Sequence, residues 1–179
     1  GEGGAVATNN EQLYLDLQEY RLHGMDKSAA ERYAKTYQHW DMGVLGYKCN
    51  MADIQASMLI PQLEKIEDTL KKREAICKKY AKAFSKINGV TFPSILPNTK
   101  HAHCICTIWV NPGDRDDVIY QLQEANIGVA VNFRAIHLLT YYKETFGYKP
   151  GAFPAAERIG DCTITLPMYS KITDEEINY

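Results

Sequence analysis

The hydrophobic pattern is strongest between Met51 and Lys86. Leu59, Leu63, Ile66, Leu70, Cys77, Tyr80 and Phe84 recur at helical spacing, Arg73 is the single break in register, and Lys and Glu fill the outer face. The pattern predicts a long amphipathic helix. Pro61 lies inside it and removes one backbone hydrogen bond, so a bend or two segments are expected there. Asn88-Gly89 should stop the run. Before it, residues 4–8 read as a short strand. Asn10 is placed to cap a helix over about 11–23 in which Leu13, Leu17 and Tyr20 share a face, and Gly24 ends it. A short helix is expected near 28–37, followed by a loop carrying Trp40 and Asp41. After the long helix, strands are expected at 102–110, 127–134 and 162–166. Helices are expected at 114–125, near 139–145 and near 153–160. Three strands with helices packed on one side make an α+β layer.

Composition narrows the class. The 179 residues are 45% hydrophobic and 23% charged, as in a globular protein long enough for one good core or two small ones. A formal net charge of -2 gives no general attraction to nucleic acid or to an anionic membrane. No stretch approaches the roughly eighteen apolar residues of a membrane span. The opening Gly-Glu-Gly-Gly is not followed by the basic segment and apolar core of a signal peptide. The five cysteines are odd in number and lack paired CxxC spacing, which favours reduced thiols and a cytoplasmic setting. Thr173 and Glu176 make a capping box, yet the sequence stops at Tyr179, about one turn later. With no initial Met, the chain is expected to be a piece of something longer, cut at both ends.

Three clusters carry candidate chemistry. In Gly46-Tyr47-Lys48-Cys49-Asn50-Met51-Ala52-Asp53, a glycine leads to a cation and an amide just before the long helix. Asn50 could cap that helix, with Asp53 near its positive end; a cation and an amide there also suit a phosphate or carboxylate. An ordinary capped helix start accounts for the same residues. His101, His103, Cys104 and Cys106 resemble a metal cluster. On a strand, however, the histidines face one way and the cysteines the other, so buried structural cysteines are the better reading and no metal is expected. Asn132-Phe133-Arg134-Ala135-Ile136-His137 leaves a strand for a loop. Arg134 offers a donor fork for an anion, His137 can donate to the same anion, and Tyr141 and Tyr142 could stack on a ring. Solvated polar residues at a strand end are the competing account. No serine nucleophile motif, P-loop or dinucleotide fingerprint is present.

Taken in order, these blocks resemble the DegT/DnrJ/StrS family of sugar aminotransferases, which depend on pyridoxal phosphate (PLP). Gly1-Glu2-Gly3-Gly4-Ala5-Val6-Ala7-Thr8-Asn9 resembles the segment just after the PLP-binding lysine, and Leu22-His23-Gly24-Met25-Asp26-Lys27 the following helix end. The block from Gly46 to Ser57 resembles the family's G-Y-N/K-Y-N/R-M-x-D-I-Q-A-A, and Ala125-Asn126-Ile127-Gly128 its A-G-I-G turn. His137-Leu138-Leu139-Thr140-Tyr141-Tyr142 resembles P-x-H-L-x-x-Y-Y, with Ala135 at the proline position. Phe146-Gly147-Tyr148, Phe153-Pro154-Ala155-Ala156-Glu157 and Leu166-Pro167-Met168-Tyr169 follow in family order.

The resemblance implies the C-terminal part of a fold-type I PLP-dependent transferase, like aspartate aminotransferase. Residues 1–47 would close the large PLP-binding domain, and 48–179 would form the small C-terminal domain with its long connecting helix. The implied reaction moves an amino group, with glutamate as the expected donor, to a keto-sugar nucleotide, for polysaccharide, glycan or antibiotic-sugar synthesis. A homodimer with shared active sites is implied, in which Lys48 and Asn50 hold cofactor phosphate of the other subunit. Lys48 stands where the family has asparagine, and Asn50 where it often has arginine. Arg134, His137 and Tyr142 would bind substrate. The Schiff-base lysine is expected upstream of Gly1, so no catalytic residue falls within these 179. A PLP-dependent sugar dehydratase of the same family and a non-catalytic binding or dimerisation module are the alternatives.

Overall fold

A computed structural model describes residues 3–32, 34 and 36–179. The chain forms two compact units, Gly1–Glu64 and Lys65–Tyr179.

In the first unit, helix α1 (Glu11–Tyr20) starts where Asn10 places it: the Asn10 side chain accepts a hydrogen bond from the Leu13 amide at 3.0 Å. Gly24 ends the turn beyond α1 with φ +76°, its amide bonded to the Glu19 carbonyl. The chain then returns. Residues 46–50 lie antiparallel to 20–23, joined by a bridge between Leu22 and Lys48 and by amide bonds from Tyr47 to Tyr20, His23 to Tyr47 and Cys49 to Arg21. Two glycines permit this approach. A Cβ on Gly46 would stand 2.1 Å from the Gly24 nitrogen, and one on Gly24 only 1.8 Å from the Val44 carbonyl oxygen. A second bridge pairs Met25 with Met42. Helix α2 covers only Ala29–Arg32; residues 33 and 35 of the expected 28–37 helix lie outside the described residues. The strand expected at 4–8 is not formed: this segment has no β partner among the described residues.

The long helical run is two helices, α3 (Asp53–Glu64) and α4 (Ile66–Phe84). Pro61 sits inside α3, and the break falls at Lys65, four residues later. Asn50 does not cap α3, which is a correction to the expected helix start. Pinning of the 46–50 segment keeps Asn50 outside the helix, where its side-chain oxygen accepts from the Lys48 ammonium. The Gln55 side chain accepts from the Ala52 amide instead, at 3.4 Å.

The second unit is built on two antiparallel strands, β1 (Cys106–Trp109) and β2 (Thr163–Leu166), with Ile108 opposite Ile164. Single bridges extend the sheet at both edges, Thr91 to Trp109 and Ala130 to Thr165. The strand expected at 127–134 is thus reduced to one bridge, and that at 102–110 to Cys106–Trp109, with Val110 bonding on to Cys162. His103 adopts φ +43°, which no strand tolerates, so the alternation expected for residues 101–105 does not apply. Ile108, Ile164, Leu166 and Cys106 form the core with Ile76 and Tyr80 of α4. Ile164 is fully buried, worth about 1.5–3 kcal/mol relative to exposure. The core-facing end of the long helix is therefore Ile76 to Phe84; Leu59, Leu63 and Ile66 remain exposed. Helix α5 (Arg115–Glu124) packs Val118, Ile119 and Leu122 on this core. Beyond it come a 3₁₀ turn (Ile136–Leu138), α6 (Thr140–Phe146), α7 (Pro154–Cys162) and α8 (Asp174–Asn178). Helix α7 runs directly into β2, and Arg158 lies over the Trp109 ring, 5.3 Å from its centroid. The capping box of α8 forms as the sequence predicts.

Candidate functional site

Arg134, His137 and Tyr142 line one open hollow of about 530 Å³, with Phe133, Tyr148 and Phe153 among its walls. Local structure explains how they come together. The segment bridged at Ala130 delivers Arg134 to the hollow, and Gly160 lets α7 press against it. A Cβ on Gly160 would lie 2.7 Å from the Ala135 nitrogen. Arg115, at the start of α5, holds α7 at the same glycine by donating from Nη1 to the Gly160 carbonyl at 2.6 Å. The 3₁₀ turn then carries His137, and α6 carries Tyr142, stacked on Phe146 at 6.0 Å. The Arg134 side chain is exposed and has no hydrogen-bond or ion-pair partner among the described residues. A guanidinium beside aromatic walls can take an anion joined to a planar ring.

His137 is buried, and its Nε2 lies 2.8 Å from Oε1 of Glu157 on α7. The Gly151 amide donates to both oxygens of the same carboxylate, at 2.8 and 2.9 Å, and the Phe153 amide to Oε1 at 3.3 Å. The Gly151 amide first, then His137 and the Phe153 amide, hold the Glu157 carboxyl below its usual range. Glu157 thus ties the 147–153 turn, α7 and His137 into one arrangement. In the sequence Glu157 stands out only as part of a motif, and its one signal is its place in the first turn of α7, four residues after Phe153.

Lys48 and Asn50 lie in the first unit on the pinned 46–50 segment, and both are exposed. The Lys48 ammonium donates to the Asn50 side-chain oxygen, which leaves its other N–H donors without a protein partner among the described residues. The Asn50 amide nitrogen is likewise unengaged there. A point charge and an amide donor on a rigidly anchored loop fit a phosphate group, the anionic end of PLP.

The His/Cys run does not gather at one point. His101 and His103 meet ring to ring at 4.4 Å, Cys104 is exposed, and Cys106 is buried in the core. The reading of both cysteines as buried holds for Cys106 and is corrected for Cys104, because the strand starts only at Cys106. Cys106 neighbours Cys77, and that thiol together with burial pushes the Cys106 pKa up. Among the described residues no three His, Cys, Asp or Glu side chains are placed to hold a metal ion. Among the same residues no helix is long and apolar enough to cross a membrane.

The chain is 34% identical over 184 residues to the spore coat polysaccharide biosynthesis protein SpsC of Bacillus subtilis, covering 99% of this chain and 47% of that protein. It is 31% identical over 187 residues to a UDP-4-amino-4-deoxy-L-arabinose–oxoglutarate aminotransferase of Shewanella sediminis, covering 98% of this chain and 48% of that one. A structure from Streptococcus pneumoniae, described as a sugar aminotransferase in its PMP form, superposes with a TM-score of 0.83 at 28% identity, over 96% of this chain and 44% of that one. The same protein is also known in a PLP form. The chain therefore spans about half the length of the curated relatives it matches. It has the fold of the corresponding part of fold-type I aminotransferases. The model of the DegT/DnrJ/EryC1/StrS aminotransferase family matches residues 1–179, and the chain belongs to that family.

Proposed function

We propose that this chain is the C-terminal part of a PLP-dependent aminotransferase that moves an amino group from glutamate to a keto-sugar nucleotide. The observation that carries the reading is a family match over residues 1–179 in which Arg134, His137 and Tyr142 of one block and Phe153 and Ala156 of another line one hollow. Relatives named for polysaccharide biosynthesis and for an oxoglutarate aminotransferase support the sugar substrate and the glutamate donor.

When bound, PLP supplies an electron sink that lets an amino group pass between an amino acid and a ketone. In this proposal Lys48 and Asn50 hold its phosphate, across the interface of a homodimer. Arg134 binds the charged diphosphate of the nucleotide, Tyr142 packs against its planar part, and His137 orients the sugar. The lysine that binds the cofactor belongs to the sequence upstream of Gly1. Residues 1–47 complete the large domain and 48–179 form the small one, in a cytoplasmic enzyme.

The test uses the intact protein titrated with PLP. The expected result is the visible absorbance of lysine-bound cofactor and a higher melting temperature, about 2.7 kcal/mol of added stability at a hundredfold excess over Kd. Neither change, at saturating PLP, would favour a non-catalytic module and overturn the proposal.

A further inference from the structure

We propose that Glu157 is a positioning residue for the hollow, fixing His137 as the tautomer protonated on Nε2 and so leaving Nδ1 to accept a hydrogen bond from a hydroxyl of the substrate. The substrate half of this inference rests on the function proposed above; the tautomer half does not.

The Glu157 carboxylate is fully committed to accepting. Gly151 donates to both oxygens, Phe153 adds a third amide bond, and the set keeps the carboxyl ionised at neutral pH. It has no proton to give, so Nε2 of His137, 2.8 Å away, is the donor. In a neutral imidazole the other nitrogen is then an acceptor. Nδ1 has no protein hydrogen-bond partner among the described residues, although His137 is only 7% exposed and lines the hollow. The ring cannot turn freely, because Phe153 and Tyr148 meet it edge-on at 4.8 and 6.1 Å. Labour is therefore divided. Arg134 suits the anionic part of a ligand, while an Nδ1 without a proton repels a phosphate oxygen and accepts from a hydroxyl.

The test is Glu157→Ala in the intact protein, with Glu157→Gln as the conservative variant. A glutamine oxygen in the place of Oε1 still accepts from His137 Nε2 and from the Gly151 and Phe153 amides, whereas alanine leaves nothing to hold the ring proton on Nε2. Spectra of protein made with nitrogen-labelled histidine read the tautomer, with His137→Asn identifying the signal. The expected result is an Nε2 proton in the parent and in Glu157→Gln, and a measurable share of the Nδ1-protonated form in Glu157→Ala. In steady state, KM of Glu157→Ala for the keto-sugar nucleotide should rise about tenfold or more, as for loss of other orienting partners of histidine, with KM for the amino donor unchanged. An Nδ1 proton in the parent, a tautomer indifferent to the alanine substitution, or an equal rise in both KM values would overturn the inference. If the parent turns over no keto-sugar nucleotide, the proposed function fails, and the spectra alone decide the role of Glu157.

Discussion

Lys48 is the residue on which the proposed cofactor contact turns. Its ammonium is exposed and, among the described residues, tethered only to Asn50, so its charge is available and its loss should leave the fold intact. Lys48→Ala in the intact protein should weaken PLP binding roughly 10- to 100-fold, the range of one charge-assisted contact, with an unchanged melting temperature in the absence of PLP. Equilibrium PLP titration measures this, and an unchanged Kd would mean that the ammonium does not touch the phosphate. Residue types at these positions were legible in the sequence; their surroundings were not. Asn50 reads as a helix cap because asparagine before an amphipathic run usually is one. The pairing of Leu22 with Lys48 holds it outside the helix instead. Glu157 was opaque for a related reason. Its partners, at positions 137, 151 and 153, are brought to it by a 3₁₀ turn and a loop that no periodicity describes.

At the scale of elements, local signals located the helices and overstated the strands. Asn10 before α1, Pro154 opening α7 and the Thr173/Glu176 box of α8 each act within one turn, so their chemistry survives in the sequence alone. A strand needs a partner from elsewhere. Residues 4–8 find none, and 127–134 pair only at Ala130, so alternation there promised more than the fold supplies. Gly24 reads as a helix stop and Gly46 as a glycine leading into the Lys48 block, yet what requires them is the passage of one backbone across the other. The α8 cap offers a direct check. Thr173 Oγ1 accepts from the Glu176 amide, while the Glu176 carboxylate accepts from the Thr173 amide and from Tyr169. Thr173→Ala should cost about 1 kcal/mol, read as a lower midpoint in denaturant at unchanged slope. No loss would mean that α8 is held by Ile177 in the core and by the ion pair of Lys79 with Asp174, not by its cap.

For the whole molecule, family membership joins observations that neither unit explains alone. The second unit has its own core and a hollow furnished with a guanidinium, an imidazole and aromatic rings. The first unit presents an ammonium and an amide on an anchored loop. The order of weak motifs along the sequence already pointed to one family, because order and spacing accumulate where single motifs do not. Which residues converge on the hollow depended on Gly160, Arg115 and Glu157, whose contacts exist only in the folded chain. The central claim is that the intact protein moves nitrogen from an amino acid to a sugar. The most direct measurement incubates it with PLP, isotope-labelled glutamate and a panel of keto-sugar nucleotides, and follows the label by mass spectrometry. The account expects labelled nitrogen on a sugar nucleotide together with oxoglutarate. Loss of a sugar hydroxyl without gain of nitrogen, or an unlabelled panel throughout, would contradict it.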